Sequence, residues 1–432
     1  MSKHSELKKK LLITFGILAM IRLGSQIPTY GINTEFFSSL IETNAAMAFL
    51  NSITGNSLRQ LSIFALSITP YITASIIIQL LTVALPKLEE IAKDGPEGHS
   101  KIEKITYVAA GVLGYAEALA MAVGFGRRGL LISFTWYNVL IVTLIWGTFA
   151  LASVFLGKLI EKKGIGNGIS LILLVNILAS LPADFYTLYE KFCSGKSLSL
   201  IIVNLCIIVI CVCIIFIFAM ILNNAEKKIP VTYSGKITGN ASYAARNSFI
   251  PIKVLVMGVM PIIFATSIMS FPGIISAFLS KQPDGVPGFI LNCLNSNNWF
   301  DFSEPQYMAG YFVYVLLIIF FGYFYTSIAF NTAEIADNLR KSGGAIAGIR
   351  PGKPTMDYLN KQSKYLILVG TCGLLILATI PLILSGIFGL STLSFGGTTV
   401  LIVISVIFDT RKQIQTELAS GKAENRLKSF HL

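Results

Sequence analysis

The sequence predicts an all-α polytopic membrane protein with ten transmembrane helices. Of the 432 residues, 54% are hydrophobic and only 13% are charged, and the mean hydropathy is +0.70. A soluble domain of this size carries about twice that charged fraction. The charges also lie between apolar stretches that approach the ~20 residues needed to cross a bilayer. We expect the spans at about 11–28, 66–86, 105–126, 138–160, 166–182, 199–223, 254–280, 308–330, 365–389 and 394–410.

The first apolar stretch begins like a signal peptide, because it follows three consecutive lysines at positions 8–10. Arg22 interrupts it, however, and no small-residue cleavage site comes after it. We therefore interpret this stretch as a retained first span.

The stretch from Ser62 to Leu85 is the most informative part of the chain. It carries no charge over 24 residues, which is long enough for a membrane helix. Pro70 lacks an amide donor, so one continuous helix is expected after it, ending at Pro86. One face of this helix carries, four residues apart, Ile68, Ile72 and Ile76. From spacing alone, such residues most often face lipid or a neighbouring helix.

The distribution of positive charge predicts the orientation of the chain. With the N-terminus in the cytoplasm, the cytoplasmic segments hold 27 of the lysines and arginines, and the opposite side holds 6. Cytoplasmic loops of membrane proteins are enriched in these residues. Both termini are therefore predicted to be cytoplasmic, and the net charge of +12 is concentrated on one face. Such a face attracts anionic lipids; an acidic or nucleic-acid partner is the alternative.

Three connecting segments are long enough to carry a function of their own. The cytoplasmic loops 225–253 and 331–364 mix basic, aromatic and turn residues, and part of 229–243 has the composition of a short β-hairpin. Residues 29–65 form a long, mostly uncharged connection on the other side. Loops of this length are often functional, and a disordered connector is the alternative.

No enzyme signature or cofactor site is predicted. The six cysteines show no CxxC spacing and the three histidines are far apart, so a metal site is not expected. The glycine-rich run GIGNGIS at 164–170 opens a membrane span, and no Lys-Ser/Thr completes a phosphate-binding loop. Energy for any transport must therefore come from a partner.

Six blocks of sequence, in order along nearly the whole chain, resemble the SecY/Sec61-alpha family. They are RLGSQIPTYGIN at 22–33, SIFALSITPYITASIIIQLL at 62–81, GIGNGISL at 164–171, IPIKVLVMGVMPIIFATSI at 250–268, FFGYFYTSIAFNTAEIADNLRKSGGAIAGIRPGKPT at 320–355 and FGGTTVLIVISVIFDT at 395–410. The departures are small: IPTYGI stands where the family often has IPxPGI, and the sixth span is rich in cysteine. Six ordered blocks are far more specific than one motif.

The resemblance implies two inverted five-helix halves, 1–182 and 183–432, around a central hourglass pore. An odd number of spans per half is what an inverted repeat requires, although no sequence repeat is evident between the halves. The implied function is a protein-conducting channel in the bacterial plasma membrane. Such a channel translocates unfolded secretory proteins and releases transmembrane segments laterally into lipid.

The resemblance also implies partners. They are the small membrane subunits SecE and SecG, the motor ATPase SecA, the ribosome, signal peptides, unfolded secretory proteins, and anionic lipids.

A ring of aliphatic side chains is implied at the centre of the pore. Such a ring adapts in width to any substrate sequence, and a narrow apolar constriction excludes water. The implied ring residues are Ile68, Ile72, Ile76, Ile169, Leu173, Ile263 and Ile402. We expect Ile404, two residues further along the last span, to face lipid.

Three further sites follow from the resemblance. Residues 46–60 would form a plug that closes the pore, including Ala46, Asn51, Gly55 and Arg59. The lateral gate between the second and seventh spans would use Thr73, Gln79, Asn167, Phe271 and Ile275. From the sequence alone, a buried amide such as that of Asn167 is expected to be satisfied by another amide. SecA or the ribosome would dock on Arg246, Arg340, Arg350, Pro351 and Gly352.

Two other classes of function are open at this stage, a secondary transporter of a small solute and a membrane scaffold. Transporters also use inverted repeats, but they usually carry ionisable residues at mid-membrane. The spans here are nearly empty of such residues. Arg22 and Glu117 are exceptions, and the sequence does not identify their partners. The six ordered blocks favour the channel.

The charge asymmetry makes the topology testable. Reporters fused after residues 96, 163, 240 and 350 should be cytoplasmic, and reporters fused after residues 55 and 285 should be external. Alkaline phosphatase and green fluorescent protein fusions measure the two locations. An external reporter at 240 or 350 would contradict the predicted topology.

Overall fold

The structure is a computed structural model. It describes residues 3–34, 45–192, 198–233, 237–238, 241–242, 247–256, 258–278, 285–300, 304–388 and 397–430.

A helix coincides with each of the ten predicted spans in the part of the chain that the structure describes. These helices are α1 Lys3–Gly24, α3 Thr69–Ala84, α5 Gly95–Gly124, α6 Trp136–Lys163, α7 Gly168–Phe192, α8 Leu198–Asn224, α9 Met260–Phe278, α11 Ala309–Ala329, α13 Lys353–Phe388 and α14 Gly397–Phe430. Four shorter helices lie between them: α2 Ala45–Ile53, α4 Pro86–Lys93, α10 Val286–Leu294 and α12 Thr332–Lys341.

Not all of these helices meet a length and hydropathy test for crossing a membrane. Among the described residues six do so, in α5, α6, α7, α8, α11 and α13, and the bent pair of α3 and α4 makes a seventh. Helix α9 contributes a shorter apolar stretch, Met260–Ile274. A polytopic membrane protein is thus confirmed, and the count of ten spans stays a prediction.

Two prolines fix the limits of α3. Pro70 stands in its first turn, where a missing amide costs nothing, as expected from the sequence. Leu85 is extended, with φ −110° and ψ 115°, because the residue before a proline is disfavoured in the helical region. Helix α4 starts at Pro86, and its axis lies 104° from that of α3. The chain therefore turns sharply where the apolar run stops.

The strands come from the two long loops, and they form one shared sheet. Strand β1 (Glu226–Tyr233) pairs antiparallel with β4 (Asn247–Lys253), so its partner strand lies beyond the 229–243 range in which a short hairpin was expected. The other edge of β1 pairs with β5 (Gly344–Ile346) from the second loop. A two-residue pair, β2 (Ile237–Thr238) and β3 (Ala241–Ser242), lies at the tip. The two loops therefore act as one unit.

Two separate apolar cores flank a third at the centre. One is built from residues between 47 and 150, and the other from residues between 215 and 404. The central core takes side chains from α1, α2, α3, α6, α7, α9 and α14, so it joins both parts of the chain.

Polar contacts tie α1, α7 and α14 together on the face that carries the N-terminus. Lys10 forms an ion pair with Glu417 at 2.6 Å. The amide of Ile165 donates to the hydroxyl of Thr14 at 3.0 Å, and the amide of Gly166 donates to Gln413 at 2.9 Å. The beginning of the chain and the last helix are thus held on one face.

The start of α7 approaches α6 so closely that only glycine fits. A Cβ added to Gly168 would overlap the main-chain carbonyl of Gly157. This contact gives one glycine of the GIGNGIS run a packing role.

Gly168→Ala should lower the stability of the protein by about 1–3 kcal/mol, because backbone cannot move aside as a side chain can. Thermal unfolding of the purified protein in detergent measures the change. Gly16→Ala is the matched control: it lies inside α1, and an added Cβ there meets nothing within 4 Å. An equal unfolding temperature for both variants would contradict the packing role.

Candidate functional site

Most of the predicted ring residues meet in the central core. Ile68, Leu173, Ile263 and Ile402 are buried in one aliphatic cluster, and Ile72 and Ile169 pack against it partly buried. They come from the start of α3 and from α7, α9 and α14, which are distant in sequence. The cluster consists of isoleucine, leucine and valine. The arrangement is therefore a packed apolar cluster formed by several helices.

Ile76 packs in a neighbouring cluster, one turn further along α3. Its buried partners are Phe264 of α9 and Phe321 and Tyr325 of α11. The ring of Phe264 stacks on Tyr325 at 4.5 Å between centroids and lies 5.6 Å from Phe321. Ile72 packs against both clusters. Side chains of α3 thus meet α9 and α11 across an aliphatic–aromatic contact.

The polar residues expected at the gate are satisfied within α3. The Thr73 hydroxyl donates to the carbonyl of Thr69 at 3.2 Å, and the Gln79 amide donates to the hydroxyl of Ser75 at 3.2 Å. Phe271 on α9 is 61% exposed. The side chain of Ile275 lies outside the described residues.

Two expectations about individual residues are wrong. Asn167 is exposed, and its side-chain oxygen accepts from the amide of Ser170, so it caps the start of α7 instead of forming a buried amide pair. Ile404 is buried in the core that contains residues 215–404, because α14 packs on α8 and α13. It does not face lipid.

The predicted plug segment contains α2 and the turns that follow it. Helix α2 lies against both α7 and α9. At its end, Ile53 is buried in the central cluster with the ring residues, and Met47 is buried in the core of residues 47–150. The end of α2 is therefore packed against the predicted ring residues. The side chain of Ala46 lies outside the described residues.

Asn51 organises the turn after α2. Its side-chain amide donates to Asn56 at 2.8 Å, and its side-chain oxygen accepts from the amide of Arg59 at 2.9 Å. Asn56 and Leu61 adopt positive φ angles of 66° and 47°. The positive φ of Leu61 is unusual for a bulky residue and stores local strain.

Two side chains outside the plug segment bind its backbone. Arg22 Nη1 donates to the carbonyl of Gly55 at 3.1 Å, which identifies a partner for this arginine within the first span. Asn176 Nδ2 donates to the carbonyl of Ile53 and to the hydroxyl of Ser67, each at 3.1 Å. The sequence reasoning missed Asn176. The available signal was an amide inside the apolar run LILLVNILAS.

The docking residues that the structure describes lie beside the shared sheet, in the turn after β5 and on α12. Arg350 and Pro351 are exposed in the turn between β5 and α13, and the Arg350 carbonyl accepts from the hydroxyl of Thr355 at 2.9 Å. Gly352 has a φ of 101°, which favours glycine in this turn. Arg340 pairs with Asp337 on its own helix at 3.7 Å. Arg246 lies outside the described residues.

A small apolar core supports this turn. Ile229 and Val231 of β1, Ile252 of β4 and Ile346 of β5 are buried together with Leu339 and Leu359. The turn is thus carried by a packed unit instead of a free loop.

Known proteins resemble this chain over the regions described above. A family model described as SecY matches residues 62–411. The protein translocase subunit SecY of Escherichia coli (strain K12) is 37% identical over 439 residues, which cover 99% of this chain and 95% of that protein. The corresponding subunit of Rickettsia typhi (strain ATCC VR-144 / Wilmington) is 36% identical over 437 residues, covering 99% and 97%.

Solved structures share the fold. One described as "The structure of a protein conducting channel" superposes with a TM-score of 0.66 at 19% identity, covering 96% of this chain and 93% of the other. Another, "Sec61 in the Canine ribosome-channel complex from the endoplasmic reticulum", gives 0.65 at 20% identity, covering 96% and 93%.

These matches confirm the expected class of function, a protein-conducting channel, and give no support to a small-solute transporter. The sequence relatives span nearly the whole chain, and the solved channels share its fold. The chain belongs to the SecY family.

Proposed function

We propose that this chain forms the pore of a protein translocase in the bacterial plasma membrane. It would pass unfolded secretory proteins across the membrane and release transmembrane segments laterally into lipid. The observation that carries the proposal is the convergence of aliphatic side chains from distant helices beneath α2. Both termini would be cytoplasmic, which the charge asymmetry and the ion pair between Lys10 and Glu417 support.

The ring accounts for how a pore can pass any sequence and still stay closed at rest. Aliphatic side chains make no directional bonds, so they adapt to each passing residue without selecting among substrates. A narrow apolar constriction is also poorly wetted, which blocks ions. Ile68, Ile72, Ile76, Ile169, Leu173, Ile263 and Ile402 are the proposed ring.

Residues 46–60, which comprise most of α2 and the turns after it, are the proposed plug segment. A solved relative is described by the phrase "The plug domain of the SecY protein stablizes the closed state of the translocation channel and maintains a membrane seal", with a TM-score of 0.65. Within this segment the hydroxyls of Ser52 and Ser57 are buried without a hydrogen-bond partner among the described residues. Each such group costs about 1–3 kcal/mol. This cost makes the closed position of the plug less stable, so the plug leaves that position more readily.

The proposed lateral gate is the seam between α3 and α9. At this seam Ile76 contacts the aromatic cluster of Phe264. The contact is non-directional, so the two helices can separate without leaving hydrogen-bonding groups unpaired. The local bonds of Thr73 and Gln79 within α3 survive such a separation. Phe271 already faces outward.

The two halves, 1–182 and 183–432, are proposed to move relative to each other around this seam. The separate flanking cores support two units. Helix α7 continues through Pro182 to Phe192, so its last turns extend beyond the proposed boundary.

The sheet that carries Arg350 is the proposed docking unit for SecA or the ribosome. Two solved relatives are ribosome complexes, the canine one above and "Cryo-EM structure of idle yeast Ssh1 complex bound to the yeast 80S ribosome", which has a TM-score of 0.62. A guanidinium on a fixed turn offers a rigid donor fork to carboxylate or phosphate. SecE and SecG would pack against the membrane helices, and anionic lipids would bind the basic face.

Ile402→Asn or Ile263→Asn should open the resting pore. An amide within the constriction favours wetting, and a bias of about 1.4 kcal/mol raises the open fraction tenfold. Single-channel conductance in planar bilayers measures this, beside an export assay with a defective signal sequence.

Ile407→Asn is the matched control for these ring variants. Ile407 lies on the same helix as Ile402 and is 46% exposed. Its replacement should reduce insertion or stability without raising resting conductance. The ring assignment would be refuted if the ring variants fold but keep wild-type resting conductance and still reject substrates with defective signal sequences.

Arg350→Glu should impair translocation driven by SecA, because it places a negative charge where a donor fork is needed. The protein should remain folded and inserted, since Arg350 is exposed. Binding of SecA to proteoliposomes and ATP-dependent translocation measure the loss. Lys361→Glu changes the charge of the same face equally at another exposed position and should have a smaller effect. If SecA binds wild type and Arg350→Glu with equal affinity, Arg350 has no role in SecA docking.

A further inference from the structure

We propose that Asn176 and Arg22 form a polar latch that sets how firmly the plug segment is held. The latch consists of the bonds from these two side chains to the backbone of the plug. The inference rests on the proposed function, because it takes α2 and the following turn as the plug. It adds two residues that determine when the pore opens.

Asn176 joins three segments at one buried point. It lies in α7 and is 1% exposed. Its amide nitrogen donates to the carbonyl of Ile53, at the end of α2, and to the hydroxyl of Ser67, two residues before α3. An amide in this apolar setting needs partners, and the plug supplies one of them. Removal of the plug leaves this donor partly unsatisfied.

Arg22 supplies the second contact, from the end of α1. An arginine within a span is costly unless it faces a partner. Its guanidinium donates to the carbonyl of Gly55 at 3.1 Å. A bond from a charged donor is stronger than one from a neutral donor. The plug backbone therefore offers this charge a partner in the closed state.

Gly55 is the residue that allows both contacts. Its φ is +65°, and a Cβ added to it would lie 2.7 Å from Asn176 Cα and 2.8 Å from Arg22 Nη1. A larger residue there would be strained and would also displace the plug from the latch.

The position of Asn176 links the latch to the ring. It lies one turn after Leu173, a ring residue, and next to Ile177, which is also buried in the central cluster. When a substrate widens the ring, movement of α7 pulls the Asn176 amide away from Ile53. The passing chain thereby weakens the hold on the plug, and the orphaned hydroxyls of the plug segment favour its release.

The main test is Asn176→Leu in the assembled translocase in planar bilayers. Leucine keeps a similar volume but removes both donors. We expect about a tenfold rise in the resting open fraction, equivalent to about 1.4 kcal/mol. Translocation of substrates with defective signal sequences should also increase.

A second variant and a matched control separate the latch from general instability. Gly55→Ala should act in the same direction by steric displacement, without altering Asn176. Ser180→Ala is the control: Ser180 lies one turn further along α7, is 1% exposed, and donates only within that helix, to Ile177. It should leave conductance unchanged. Asn176→Leu and Ser180→Ala should unfold at similar temperatures, whereas Gly55→Ala should unfold at a lower temperature because its Cβ meets the backbone of Asn176.

The outcomes are distinct. An Asn176→Leu complex that folds and keeps wild-type conductance and signal stringency would overturn the latch. If Asn176→Leu fails to assemble, Gly55→Ala and Ser67→Ala test the latch in its place. Wild-type conductance in both of these variants would also overturn the latch. Failure of the wild-type complex to translocate any protein would instead count against the proposed function.

Discussion

Close packing among branched aliphatic side chains at the centre of the molecule is the interaction on which the closed structure depends. Helices in lipid gain little from burying apolar surface, so their association relies on van der Waals contact and complementary shape. The central core is where side chains of α1, α2, α3, α7, α9 and α14 meet. The flanking cores hold each part of the chain together, but the central core brings both parts together. Its aliphatic side chains make no directional bonds, so separating them would break no hydrogen bonds.

Polar contacts surround this centre and differ between the two faces. Near the N-terminus, the bonds of Lys10, Thr14 and Gln413 tie three helices directly. On the other side of the central cluster, Arg22 and Asn176 bind the backbone of α2 and of the turn that follows it. The first set of contacts joins the two ends of the chain, whereas the second holds a short helix and the turn after it.

Hydropathy and proline positions predicted the helices well, because lipid requires long apolar stretches with internally satisfied backbone. The resemblance named ring residues that the structure brings close together, whereas isoleucine spacing alone could not distinguish them from lipid-facing residues. Pairing of β5 with β1 had no sequence signal, since three residues are too few for a period. Asn167 was misjudged because its role as a cap depends on where α7 begins. The contacts of Arg22 and Asn176 were not predicted, because both side chains bind main-chain carbonyls. Every residue has such a carbonyl, so no sequence pattern identifies the one that is bound.

The shared sheet gives the Arg350 turn a mechanical connection to the interior. Strand β5 is bonded to β1, which continues directly from α8, and β1 is bonded along its length to β4, which leads into α9. The amide of Val254, just after β4, also donates to the carbonyl of Ala225 at 2.8 Å, which fixes the exit of the sheet. The two antiparallel strand pairs therefore connect the Arg350 turn to the chain that leads into α9, the helix that carries Ile263 and Phe264.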